Sequence, residues 1–123
     1  IREQAETAEN HVTPEKILEY INQHYTEELS LTYLSDKFNI SSSYLSKIIK
    51  RHCEVGFAGY IAALRIDHAK KLLENTNKTI ADIYTESGFN NRRTFMRTFK
   101  AYVGISPTDY RKASKNQTPS ESE

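Results

Sequence analysis

Leu31, Leu34 and Ile40 recur 49 residues later as Ile80, Ile83 and Phe89. Leu45, Lys47, Ile49 and Lys50 recur 50 residues later as Phe95, Arg97, Phe99 and Lys100. A repeat of this period calls for two structurally equivalent units, each burying one apolar face. The step from 49 to 50 puts one extra residue where the later helix of the second copy begins. Each copy reads as a short helix, a tight turn and a longer helix, which is the helix-turn-helix plan.

Local signals divide the rest of the chain into further helices. Thr13-Pro14-Glu15 is a helix start, with a capping Thr, Pro at the first helical position and Glu at the positive end of the dipole. Ile17, Leu18, Tyr20, Ile21 and Tyr25 follow with helical spacing, and this helix ends near Tyr25. Ser30 caps a short helix bearing Leu31, Leu34 and Phe38, and Asn39 tolerates the left-handed backbone of a tight turn. Ser41 or Ser42 caps the next helix, with Leu45, Ile48 and Ile49 inward. Phe57–Glu74 is the longest pattern, a stripe of Phe57, Tyr60, Ile61, Leu64, Ala69, Leu72 and Leu73 without proline, about 27 Å long as a helix. Thr79 and Asp82 form a capping pair, Gly88 supplies a turn, and Asn90 or Asn91 opens a helix with Phe95, Phe99 and Tyr102 that Gly104 ends. Ser106-Pro107-Thr108-Asp109 starts a short last helix through Tyr110. The resulting division is residues 1–12 as a linker or the tail of an upstream domain, a first lobe over about 13–56, a linker helix over about 57–74, a second lobe over about 79–112, and a disordered tail over 113–123.

The formal net charge is only +1, but it is unevenly spread. Residues 1–9 and 113–123 are acidic on balance, so the body between them is more basic than the whole. Residues 42–51 hold Lys47, Lys50 and Arg51 and no acid. Residues 91–102 hold Arg92, Arg93, Arg97 and Lys100 and no acid. A solvated surface helix ordinarily mixes signs to gain i,i+4 pairs. Two acid-free basic helices at equivalent repeat positions point to a phosphate-rich partner. Helical geometry then separates roles. Phe95 and Phe99 face inward, leaving Arg92, Arg93 and Arg97 for bases, since the arginine fork donates to guanine O6 and N7 together. In the first copy Ser43, Ser46 and Lys47 are left on the outward face. Lys50, Arg51 and Lys100 suit phosphates, which position without specifying, and Tyr44 suits the sugar-phosphate backbone. Arg65 is left between phosphate and nearby acids, and Tyr110 reads as a packing residue with a hydrogen-bonded hydroxyl.

Other classes find less support. No apolar run reaches membrane-spanning length and no signal peptide is recognisable. Cys53 is the only cysteine, which fits a reducing cytoplasm. The four histidines show no metal-ligand spacing, and no metal or cofactor is expected. No nucleophile–base constellation or phosphate-cradling glycine loop suggests an enzyme. A helical protein-interaction module stays open as a second class, carried by Glu15, Glu19, Glu27 and Glu28, an acidic surface able to face a sensor domain or RNA polymerase. Paired helices suited to a wide major groove do not suit A-form RNA.

From Thr13 to Lys112 the chain resembles the DNA-binding domain of AraC/XylS-type transcription regulators. The most specific stretch is Thr79-Ile80, Asp82-Ile83, Gly88-Phe89, Phe95, Arg97, Phe99-Lys100, Gly104, Ser106-Pro107 and Tyr110-Arg111. Leu31, Leu34, Ile40, Ser41, Leu45, Phe57, Tyr60, Ile61, Arg65, Ala69 and Leu72-Leu73 match in the first copy. The resemblance implies an all-α fold of seven helices in two helix-turn-helix lobes joined by a long central helix. It implies that each lobe offers one helix to adjacent major-groove segments of double-stranded DNA, about one turn or 34–36 Å apart. By motif position the base-facing residues are again Ser43, Ser46, Lys47, Arg92, Arg93 and Arg97. It also implies an upstream sensor or receiver domain, which the non-Met start fits. The chain departs from the family at Tyr84, where a small residue is common, at Glu54, where Gly is expected, and at Ile49, where an aromatic often stands.

Overall fold

The computed structural model describes residues 13–122, so the linker assigned to residues 1–12 lies outside them. Seven helices make up the described residues: α1 Pro14–His24, α2 Leu31–Phe38, α3 Ser42–Cys53, α4 Phe57–Asn75, α5 Ile80–Ser87, α6 Arg92–Val103 and α7 Pro107–Ser122. The repeat is visible in their lengths. α2 and α5 each have 8 residues, and α3 and α6 each have 12.

Six of the seven helices, all but α4, start where a side chain satisfies an orphan amide. The Thr13, Ser30, Ser41, Thr79, Asn91 and Ser106 side chains accept from the amides of Lys16, Tyr33, Tyr44, Asp82, Thr94 and Asp109. The structure thus selects Ser41 over Ser42 and Asn91 over Asn90. The stops are equally local. Asn39, Glu54, Gly88 and Gly104 take left-handed backbone, with φ of 58°, 65°, 107° and 100°. One residue, Ile40, separates the cap of α2 from the start signal of α3, and two, Phe89 and Asn90, do so between α5 and α6. This is the extra residue that the repeat spacing requires.

The chain forms two compact units. One holds the chain up to His24 together with Leu29–Ala58, and the other holds Tyr25–Glu28 and everything from Gly59 onward. In the first unit α1 and α2 pack against α3, burying Ile17, Ile21, Leu34, Leu45, Ile48 and Ile49. In the second unit Ile66, Ala69 and Leu73 of α4 join Ile83, Phe89, Phe95 and Phe99 in one core. Its aromatic rings run in sequence, with centroids 5.2 Å apart for Phe89–Phe95, 5.7 Å for Phe95–Phe99 and 5.6 Å for Phe99–Tyr110. Tyr84, bulky where the family is usually small, lies half-buried with its ring 5.8 Å from that of Phe95.

Two boundaries differ from the sequence pattern. The segment Tyr25–Glu28 belongs to the second unit although both its neighbours belong to the first. Its backbone is held by Arg65 of α4, whose Nε and Nη2 donate to the carbonyls of Tyr25 and Glu27 at 2.7 and 2.9 Å. The Tyr25 hydroxyl meets His68 Nδ1 at 2.9 Å. Burial pulls the Arg65 guanidinium down from its ordinary value. Arg65 therefore spends its Nε and Nη2 donors on backbone carbonyls. The last helix also runs on. The pattern ends it near Tyr110 and leaves 113–123 as a disordered tail, whereas α7 continues to Ser122. Lys112-Ala113-Ser114-Lys115 contains no helix breaker, Ala and Lys favour helix, and Lys115 reaches the Asn77 side chain at 3.4 Å.

Candidate nucleic-acid interface

The site follows from which faces of α3 and α6 are left over after the cores are filled. On α3 Leu45, Ile48 and Ile49 are buried, and Ser43, Tyr44, Lys47, Lys50 and Arg51 are exposed, with Ser46 half-buried. On α6 Phe95 and Phe99 are buried, and Arg92, Arg93, Arg97 and Lys100 are exposed. Residues four and then three apart line up along a helix. Ser43, Lys47 and Lys50 form such a line on α3, and their repeat equivalents Arg93, Arg97 and Lys100 form it on α6. Neither helix contains an acid.

None of these seven cations makes a hydrogen bond or ion pair through its side chain with another described residue. Among the described residues, ion pairs join Lys71 to Asp67 at 3.4 Å and Lys78 to Glu86 at 2.8 Å, away from α3 and α6. The contrast with Arg65 and Arg111 is sharp. Arg111 donates to the carbonyls of Leu73, Lys78 and Thr76 at 3.2, 2.8 and 3.0 Å. Those two guanidinium groups hold the protein together, and the sequence pattern assigns neither of them that role.

The first turn of α6 argues the same point energetically. α1, α5 and α7 start with Glu15, Asp82 and Asp109, which complement the positive end of the helix dipole. α6 starts instead with Arg92 and Arg93, each costing about 0.3–1 kcal/mol there. Such a placement opposes stability and favours an incoming anion. The C-terminal cap of α3 is the one discordant charge, since Glu54 stands left-handed and exposed at its end. Cys53 is half-buried, and burial pushes its thiol up, away from thiolate reactivity. Among the described residues no group of His, Cys, Asp and Glu is arranged to hold a metal ion, and no helix is long and apolar enough to cross a membrane.

Two units of equal helix lengths, each presenting a cationic second helix, define a double helix-turn-helix domain. A family model described as a helix-turn-helix domain matches residues 34–113, and the chain belongs to that family, in its AraC type, a class of DNA-binding domains of transcription regulators. An HTH-type transcriptional regulator of Staphylococcus aureus is 40% identical over 96 residues, covering 78% of this chain. The chain spans only 13% of that regulator's length. The C-terminal domain of the two-component response regulator yesN from Fusobacterium nucleatum is 35% identical, with a TM-score of 0.75 over 79% of this chain and 95% of that one. The DNA-binding domain of AdpA, solved with a target DNA, shares the fold at a TM-score of 0.82 and 18% identity, over 88% of this chain and 98% of that one.

Proposed function

We propose that this domain binds double-stranded DNA sequence-specifically, as the output domain of a bacterial transcription regulator, by placing α3 and α6 each in a major-groove segment. The observation that carries this reading is the pair of repeat-equivalent, acid-free cationic lines whose charges are spent on no partner among the described residues. Arg92, Arg93 and Arg97 read bases, with Ser43, Ser46 and Lys47 as their counterparts in the first unit. Tyr44, Lys50, Arg51 and Lys100 hold the backbone. An upstream sensor or receiver domain controls it, a reading supported by the yesN relative, which is the C-terminal part of a response regulator. The exposed acids of α1, Glu15 and Glu19, are the surface we assign to that domain or to RNA polymerase. The work is done in the cytoplasm, without catalysis or cofactor.

Two substitutions separate reading from positioning. Arg97→Ala costs about 1–3 kcal/mol at the preferred sequence and much less on random DNA, as expected for loss of a bidentate base contact. Equal loss on both would remove Arg97 from the readers. Lys100→Ala weakens both alike and flattens the plot of log affinity against log salt by about 1. An unchanged slope would mean that Lys100 touches no phosphate. Selection of bound sites from a random duplex pool tests the whole: a two-part preference means both units read bases, and a one-part preference leaves reading to the arginine-rich unit.

A further inference from the structure

The apolar surface carries a second sign of the repeat. Among the described residues the exposed large aliphatic side chains are Val55 and Ile105, at 47% and 40% exposure. Every other described Leu, Ile and Val is at least half-buried. Val55 and Ile105 stand 50 residues apart, the interval that relates α3 to α6. Each follows the left-handed cap that ends its cationic helix. In both units the cap amide donates to the carbonyl of the backbone-contact lysine, Glu54 to Lys50 and Gly104 to Lys100, at 2.8 Å. The loops are open. A side-chain carbon built on Gly56 or on Gly104 would meet nothing within 4 Å.

One exposed aliphatic is ordinary on any protein. Two at the same slot of a diverged repeat, with no other large aliphatic exposed among the described residues, point to a shared cause. Folding is not that cause, because neither side chain is buried. A protein partner fits poorly, since a stable protein interface covers about 800 Å² per side around an apolar centre. Here a single large aliphatic group stands exposed in each unit, one turn past exposed cations (Lys50 and Arg51, or Lys100), and the other exposed large apolar side chains among the described residues are the tyrosines Tyr33, Tyr44 and Tyr102, whose hydroxyls keep them partly polar. Cation beside isolated aliphatic matches the chemistry of one partner, the sugar-phosphate backbone, which alternates an anion with an apolar deoxyribose face.

We infer that Val55 and Ile105 are further DNA contacts, each packing on a deoxyribose next to the phosphate held by Lys50 or Lys100. This rests on the proposed DNA-binding function and adds residues to it. An apolar contact releases no counterion, so it raises affinity without steepening the salt dependence. Nor does a sugar carry sequence, so cognate and random duplexes gain alike.

The experiment measures binding of the domain to a selected duplex and to a random duplex across a salt series, for Val55→Ser, Ile105→Ser and Lys100→Ala. The serine variants are expected to bind both duplexes about three- to tenfold more weakly, the amount that a half-exposed aliphatic group gains on full burial. Their salt slopes and melting temperatures stay at the wild-type values, and Ile105→Leu keeps the affinity. Unchanged affinity in both serine variants overturns the inference. So does a loss confined to the selected duplex, which means a base methyl contact, or a shift in self-association, which means a protein surface. Failure of the underlying reading looks different: the wild-type domain then retains neither duplex at low salt, and Lys100→Ala changes nothing.

Discussion

Gly88→Ala is expected to destabilise the second unit by at least about 3 kcal/mol, with a fall in Tm of roughly 10 °C or more. Two independent costs meet at this residue. Its φ of +107° is one that an L side chain enters at about 1–2 kcal/mol. The added carbon would also stand 2.7 Å from Arg65 Nε and 3.0 Å from both the Thr26 Cα and the Tyr25 carbonyl oxygen. Two of these are backbone atoms, and the third is held by its own 2.7 Å hydrogen bond to Tyr25, so none can swing aside cheaply. Gly104 is the internal control. It has a φ of +100° but nothing within 4 Å, so Gly104→Ala should cost only the backbone part, about 1–2 kcal/mol. Asparagine, which already occupies the left-handed slot at position 39, should largely restore stability at Gly104 and not at Gly88. Equal losses at the two glycines in thermal melts would mean that Tyr25–Glu28 does not press on Gly88.

That contrast marks how far the sequence reaches. The helices were legible because their causes are local. Capping hydroxyls, left-handed caps and 3.6-residue stripes all act within a few positions, and the 49-to-50 step located the inserted residue. The outward faces of α3 and α6 were legible for the same reason, since Phe95 and Phe99 dictate where Arg93, Arg97 and Lys100 must point. What stayed hidden depends on partners far along the chain that are backbone atoms and leave no compositional trace. Arg65 meets a carbonyl 40 residues away and Arg111 one 38 residues away. In the sequence they look like the cations of α3 and α6, and only their acceptors distinguish them. The length of α7 was hidden for another reason, because the polar stretch after Lys112 holds Pro119 and carries no apolar stripe to mark it as helix or tail.

Arg111→Ala is expected to cost about 2–4 kcal/mol, from the loss of three charged hydrogen bonds to carbonyls at the end of α4 and in the loop after it. The last carbonyls of a helix lack internal partners and carry the negative end of its dipole. α4 has no basic residue in its own last turn. Arg111 supplies that charge from α7, gathering the carbonyls of Leu73, Thr76 and Lys78 into one fork. Arg65 treats the loop after α1 in the same manner, and the two Nη2 acceptors, Glu27 and Thr76, are repeat equivalents 49 residues apart. Beside Arg111, the Tyr110 hydroxyl donates to Glu74, and burial first, then that carboxylate, pushes it up to about 12. Its neutral form therefore adds stability that is fully present below pH 10 and fades as the pH rises towards about 12. Because this second tie between α7 and α4 survives, Arg111→Ala should loosen the α4–α5 loop without unfolding the domain at room temperature. Arg111→Lys should recover less than half of the loss, since a point charge cannot span three carbonyls. Urea midpoints measure both variants. A DNA titration at a temperature where they remain folded supplies the decisive comparison with Lys100→Ala: a guanidinium committed to carbonyls neutralises no phosphate, so the salt slope of Arg111→Ala should equal that of the wild type. A slope flattened by about 1, with stability unchanged, would instead place Arg111 on the DNA.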